Sequence, residues 1–219
     1  STLMRSSAAS DVYKRQGIAA ASEGVKGEPW TGARATKMAD LDGDGIQDGD
    51  GTKASPYLIE TAEQLALAIW RNNNGVYYKL VADIYLNDIN SPMWADKIGC
   101  NQWYTQRTTQ TYSNFKNSVL DGDGHVVYGL FFDHSGPQPE YVRTGLIPQL
   151  AAGSTVKNIA MSQAYINMNY DIESDHAGVI VGAVDAWHSN SWPMDPKNAS
   201  GNAIVRQLSL IHISEPTRP

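Results

Sequence analysis

The sequence predicts an all-β fold of stacked coils, closed at its N-terminal end by a single amphipathic α-helix. Three observations carry this. From Tyr77 onward the apolar residues fall in short runs such as "YYKLVADIYL", "VVYGLFF", "VKNIAM" and "GVIVGAV", separated by Gly, Asn and Asp. Residues 125–132 and 154–161 align at an offset of 29, matching Val127 with Val156, Leu130 with Ile159 and Phe132 with Met161. Two-residue hairpin turns are largely missing between the runs, which disfavours the competing sandwich of antiparallel hairpins. Strand repeats of this period stack, because no single coil buries its apolar face without a neighbour.

Residues 11–16, "DVYKRQ", can be coded as GAT GTG TAT AAG AGA CAG, and the reverse complement, CTG TCT CTT ATA CAC ATC, translates as "LSLIHI", residues 208–213. This inverted repeat resembles the end sequence recognised by a sequencing-library transposase. The flanking "SSAAS" and "SEPTR" resemble its two adapter arms. Residues 1–16 and 208–219 are therefore read as translated adapter and kept out of fold reasoning. The native part is residues 17–207, expected to be a piece of a longer reading frame.

Charge narrows the partners. The chain has 17 Lys and Arg against 23 Asp and Glu, and without Arg5, Lys14, Arg15, Arg218, Asp11 and Glu215 the balance becomes 13 to 21, about −8. Nucleic acid and anionic membrane surfaces call for clustered Lys and Arg, so neither is expected as a partner. No run approaches the ~18 apolar residues of a membrane span, so no direct membrane insertion is expected. Cys100 is the one cysteine, which leaves no disulfide framework or CxxC metal motif. It reads as a small apolar side chain.

Residues 17–52 form a lead-in with Trp30 as its obvious anchor, ending in the Asp/Gly loop "DLDGDGIQDGDGT". In that loop Asp40, Asp42, Asp44, Gly45 and Asp48 occupy relative positions 1, 3, 5, 6 and 9 of a calcium loop. Alternate carboxylates converge on a hard cation while Gly allows the sharp turn. Position 12 is Gly51 rather than the bidentate Glu of an EF-hand, so the loop is closer to short Asp-rich Ca²⁺ loops of extracellular modules. A solvated Asp/Gly turn is the alternative.

Residues 53–207 are expected to hold the capping helix and the first coils. "PYLI" reads as a short strand, and Thr61 then opens the helix, with Gln64 completing a capping box. Leu65, Ala68 and Ile69 share one face, and "NNNG" ends the helix near Asn73, with Gly75 suited to a left-handed C-terminal position. An amphipathic helix here would cover the apolar core and strand edge that the first coil exposes.

These residues resemble a known family. "GDGTKASPYLIETAEQLALAI", "YYKLVADIYL", "LDGDGHVVYGL", "TGLI", "STVKNIAM" and "AGVIVG" occur in the order seen in bacterial surface proteins with GLUG-type repeats. The resemblance runs from about Trp30 to Gln207. It implies a right-handed parallel β-helix that is exported, extracellular or at the cell surface, and adhesin-like. Two departures stand out: Pro148 follows the first Gly-Leu motif where Gly is usual, and residues 88–117 look like an aromatic-bearing insertion.

Two clusters are chemical candidates. Asp121, Asp123 and His125 in "DGDGH" are the compact acid/base group, with Arg143 able to approach in space; paired carboxylates suit glycosidase or lyase chemistry, and a Gly-rich corner is the alternative. His134, His176 and His188 lack metal-ligand spacing. Trp94, Trp103, Tyr104 and Tyr112 lie among Asn, Gln and Thr, a combination suited to sugar rings, or else they pack the insertion onto the coils. The leading expectation is a non-catalytic surface segment displaying a glycan- or protein-binding face. The alternative is the N-terminal part of a carbohydrate-active β-helix enzyme.

Overall fold

The computed structural model describes residues 23–71, 73–103, 106–107, 115–134, 142–151, 153–168, 176–185, 204–206 and 209–211. Most of its regular elements are short strands in parallel sheets, so the all-β expectation holds. One sheet runs β1 (Tyr57–Ile59), β3 (Tyr77–Leu80), β7 (Val119–Asp121), β12 (Thr155–Lys157) and β17 (Ile204–Arg206). A second runs β2 (Asn73–Asn74), β6 (Phe115–Lys116), β11 (Ile147–Ala151) and β16 (Val181–Asp185). A third runs β4 (Ile84–Tyr85), β8 (Val126–Tyr128), β13 (Ala160–Ser162) and β18 (Ser209–Ile211), and β9 (Phe131–His134) pairs with β14 (Tyr165–Met168). The antiparallel exception among the described residues joins β10 (Val142–Thr144) to β5 (Gln106–Arg107); the other neighbour of β10, β15 (His176–Ala177), is parallel.

In-register pairing sorts the side chains into columns. Tyr78 aligns with Leu120 and Val156, and Ile84 with Val127 and Met161; all six are buried. Because successive residues of a strand face opposite sides, the intervening Lys79, Asp121 and Lys157 form an outward column. The repeat is therefore not the one expected at an offset of 29. Val127 pairs with Met161, 34 residues on, and Leu120 with Val156, 36 residues on. An offset of 29 lays β8 over β12, strands of different sheets with the same alternation. A period-two pattern does not tell one face from the next.

Helix α1 (Ala62–Trp70) starts as the sequence predicts. Thr61 Oγ1 accepts from Gln64 N and Gln64 Oε1 accepts from Thr61 N, both at 3.3 Å. Leu65, Ala68 and Ile69 are buried. The end differs: the helix stops at Trp70, Arg71 turns extended, and Gly75, although left-handed, lies beyond it. Asn73 supplies the reason. Its buried side chain donates to the Ala68 carbonyl and accepts from the Tyr78 hydroxyl, drawing the chain out of the helix and into β2. Burial pushes the Tyr78 phenol up to about 12, which keeps it a donor.

The lead-in is fastened from Trp30 to Ala39, not at Trp30 alone. Trp30, Ala35, Met38 and Ala39 are all buried. Backbone N–H groups of Trp30, Ala35 and Ala39 donate to Tyr85, Glu63 and Leu58 carbonyls at 2.8, 3.0 and 3.0 Å. Buried Glu63, in the first turn of α1, accepts from Thr31 N and Oγ1 at 2.9 and 2.7 Å. The strap thus packs against the first turn of α1.

The Gly-Leu motifs have a steric origin. A Cβ on Gly145 would sit 2.4 Å from the Gly178 carbonyl oxygen, and one on Gly182 would sit 2.4 Å from that of Thr144. These glycines let the chain segments bearing "TGLI" and "AGVIVG" approach, with Leu146 N donating to Val179 O at 3.1 Å. Strand β18 falls in the adapter-like stretch, where its backbone pairs in register with β13. An alternating apolar run joins an open strand edge whatever DNA encoded it.

Thr61 ties the cap together, since its hydroxyl also donates to the Glu23 carbonyl at 2.6 Å. Replacing it with Ala is expected to cost about 1–2 kcal/mol, read as a lower urea midpoint. An unchanged midpoint would show that the cap carries no stability.

Candidate functional site

The Asp-rich loop folds around its own backbone. Asp40 Oδ1 accepts from Gly43 N at 2.9 Å, and its Oδ2 accepts from Gly45 N at 2.8 Å and from Lys37 Nζ at 3.2 Å. Asp42 and Asp44 each accept from the N–H two residues on, the Asx-turn geometry. Ligand oxygens of Asp40, Asp42 and Asp44 come within 4.8 Å of one another. Such an all-carboxylate set suits a hard cation. Asp48 stands apart from this triad, its Oδ2 accepting from Leu41 N at 2.6 Å. Burial pushes the Asp40 carboxyl up, but Lys37 and the Gly45 and Gly43 N–H groups outweigh it and leave Asp40 below its ordinary value.

The "DGDGH" corner is a network of ion pairs. Asp121 Oδ2 contacts Lys157 Nζ, and its Oδ1 accepts from Asn158 Nδ2 at 2.9 Å. Asp123 pairs with Lys79 at 2.9 Å, and His125 Nδ1 faces Asp83 Oδ1 at 3.1 Å. The cations beside the acids are thus Lys79 and Lys157, delivered by the ladder from neighbouring strands. Sequence reading missed both, and Asp83 with them. The signal was present: Lys79 and Lys157 each follow the inward apolar residue that aligns with Leu120.

Burial raises the Asp121 carboxyl, yet Lys157, Asn158 and the Asp123 N–H overcome that and depress it. Lys79 is shifted upward, chiefly by its bond to Asp123. Each of the two acids is paired with a lysine, Asp121 with Lys157 and Asp123 with Lys79.

The insertion aromatics divide. Trp103 is buried, its Nε1 donating to the Leu146 carbonyl at 2.9 Å and its ring edge-on to Trp30 at 4.9 Å. Trp94, on the short helix α2 (Pro92–Asp96), is also buried, edge-on to Phe131 at 6.2 Å and covered by Lys97 Nζ at 4.5 Å. Protein groups occupy both indoles, so neither presents a face to a sugar. They pack the insertion onto the sheets, the second of the two readings. Asn87 completes the docking by donating to the Asn101 and Gly129 carbonyls at 3.0 and 2.8 Å. Tyr104, Tyr112 and His188 lie outside the described residues. Cys100 is half-buried, and desolvation raises its thiol.

Outward-facing tyrosines were also missed. Tyr85 and Tyr128, paired across β4 and β8, stack at 4.8 Å with 8° between planes.

Two relatives share part of the chain. A halomucin from Haloquadratum walsbyi is 29% identical over 131 residues, 58% of this chain and 1% of its own length. A Gly-rich membrane protein from Evansella cellulosilytica is 29% identical over 139 residues, 62% of this chain and 14% of its own length. No protein-family model matches the chain, and no solved structure does. No described helix is long and apolar enough to cross a membrane.

The depressed Asp121 carboxyl binds fewer protons folded than unfolded, so it favours the fold above the ordinary Asp value of about 3.9. That contribution fades as pH falls through the lower folded value. Urea midpoints measured on acidification are expected to fall less steeply in Asp121→Asn than in the parent. Identical acid limbs would contradict the assignment.

Proposed function

We propose that the chain is part of a right-handed parallel β-helix, capped by α1 and the lead-in, displayed at a bacterial cell surface as a non-catalytic binding scaffold. The observation carrying this reading is the fixed rotation in which the chain revisits its sheets. From β6 it passes through β7, β8 and β9, and from β11 through β12, β13 and β14, each strand pairing with its counterpart. A coil advancing one strand spacing per turn produces this order. The names of the two relatives, a halomucin and a Gly-rich membrane protein, support an extracellular or surface setting. The GLUG-type resemblance points the same way.

The ion pairs at the corner favour binding over catalysis. A general acid needs a carboxyl kept protonated near the working pH, whereas Asp121 is pushed in the opposite direction. The ligand is a glycan or another surface protein. The Asp40, Asp42 and Asp44 loop takes Ca²⁺, with Lys37 competing for Asp40.

Two measurements test these statements on the full chain. Incubated with pectin, alginate or xylan, it is expected to release neither reducing nor unsaturated ends. Cleavage that disappears in Asp123→Asn would establish the carbohydrate-active enzyme instead. Excess Ca²⁺ should raise Tm and EDTA reverse the rise, because a ligand bound only to the folded state stabilises it; a Tm indifferent to both removes the metal.

A further inference from the structure

The outward face of β4 and β8 combines an aromatic step with an exposed polar edge. Tyr85 and Tyr128 are half-buried and stack on each other. The next residue in their column is the buried Ser162, so the aromatic run ends at Tyr128. Just before each strand stand Asp83 and His125, whose side chains are 41% and 32% exposed. Asp83 Oδ1 accepts from Val126 N at 3.0 Å and faces His125 Nδ1, which fixes both groups at the rim. Lys79 and Asp123, paired at 2.9 Å, extend that rim and are 38% and 50% exposed.

We propose that this face is a ledge for a neutral saccharide chain. The C–H face of a pyranose ring lies across the exposed edges of the two stacked tyrosines, while its hydroxyls exchange hydrogen bonds with Asp83, His125 and the Lys79–Asp123 pair. Charge selects the class of ligand. Each lysine of the neighbouring column already has its carboxylate, Lys79 with Asp123 and Lys157 with Asp121, so an anionic sugar gains no unpaired cation. A neutral polyol, donor and acceptor at every hydroxyl, uses both members of each pair. Tyr128 contributes a donor: burial, Asp83 and Tyr85 together raise its phenol, which stays protonated. The inference rests on the non-catalytic reading above and places the ligand on the sheet rather than on the insertion.

Calorimetry on the full chain with cellohexaose, xylohexaose and mannohexaose, and with hexagalacturonate as the charged comparison, tests the ledge. At least one neutral hexasaccharide is expected to bind more tightly than hexagalacturonate. Tyr85→Ala and Tyr128→Ala should each weaken that binding about tenfold, the size of one ring contact. Should either variant fail to fold, His125→Ala at the exposed rim is expected to weaken it about threefold. No binding of any neutral hexasaccharide, tighter binding of hexagalacturonate, or folded variants that bind like the parent would each overturn the ledge. Failure of the underlying reading looks different: a bound hexasaccharide that is cleaved retains the ledge and removes the non-catalytic role.

Discussion

Parallel pairing in register is the constraint on which the rest of this molecule depends. Once Leu120 aligns with Tyr78 and Val156, every inward residue is stacked on another inward residue and every outward one on another outward one. The core is then a set of columns, and apolar burial in them at roughly 25 cal/mol per Å² supplies the main stabilisation. Polar columns obey the same rule. Lysine alternates with aspartate along Lys79, Asp121 and Lys157, which turns like-charge crowding into attraction between strands. Tyrosine stacks on tyrosine where β4 meets β8.

A ladder of this kind needs an end that does not recruit further strands. Here the strap of residues 23–39 donates the N–H groups of Ala39 and Trp30 to the Leu58 and Tyr85 carbonyls of the edge strands β1 and β4. The strap is held through carboxylates: Glu63 binds Thr31, and Glu23 accepts from Thr36 N and Lys37 N at 2.8 and 3.0 Å. Trp30 and Trp103 meet edge to face, so the insertion and the strap fasten each other. The cost of ordering so many short, Gly-rich turns is thereby met by contacts made far apart in sequence.

Local signals were legible in the sequence and non-local ones were not. The capping box of Thr61 and Gln64, the helix face of Leu65, Ala68 and Ile69, and the short strands all follow from patterns within a few residues. The helix end at Trp70 depends on Asn73 reaching both Ala68 and Tyr78, which a local C-cap rule does not contain. Register was misread because alternation repeats on every face, and the corner between Asp121 and Val126 is two residues longer than its counterpart between Lys157 and Ala160. For the same reason the lysines beside Asp121 and Asp123 were missed: they come from strands 42 and 36 residues away, and their alternation shows only once the register is known. The burial of Trp94 and Trp103 likewise depends on partners outside their own segment, Phe131, Trp30 and Leu146.

Register is tested most directly by disulfide trapping in a Cys100→Ser background. Neighbouring strands lie about 4.8 Å apart, within the Cα separation a disulfide spans. Asp121→Cys with Lys157→Cys joins residues that the ladder pairs. Val126→Cys with Thr155→Cys joins residues that only an offset of 29 would pair, and the structure assigns them to different sheets. The account predicts rapid, near-complete oxidation of the first pair without loss of secondary structure, and none of the second. Cross-linking of the second pair with the first left reduced would contradict the register, and with it the stacked columns on which the proposed scaffold and ledge are built.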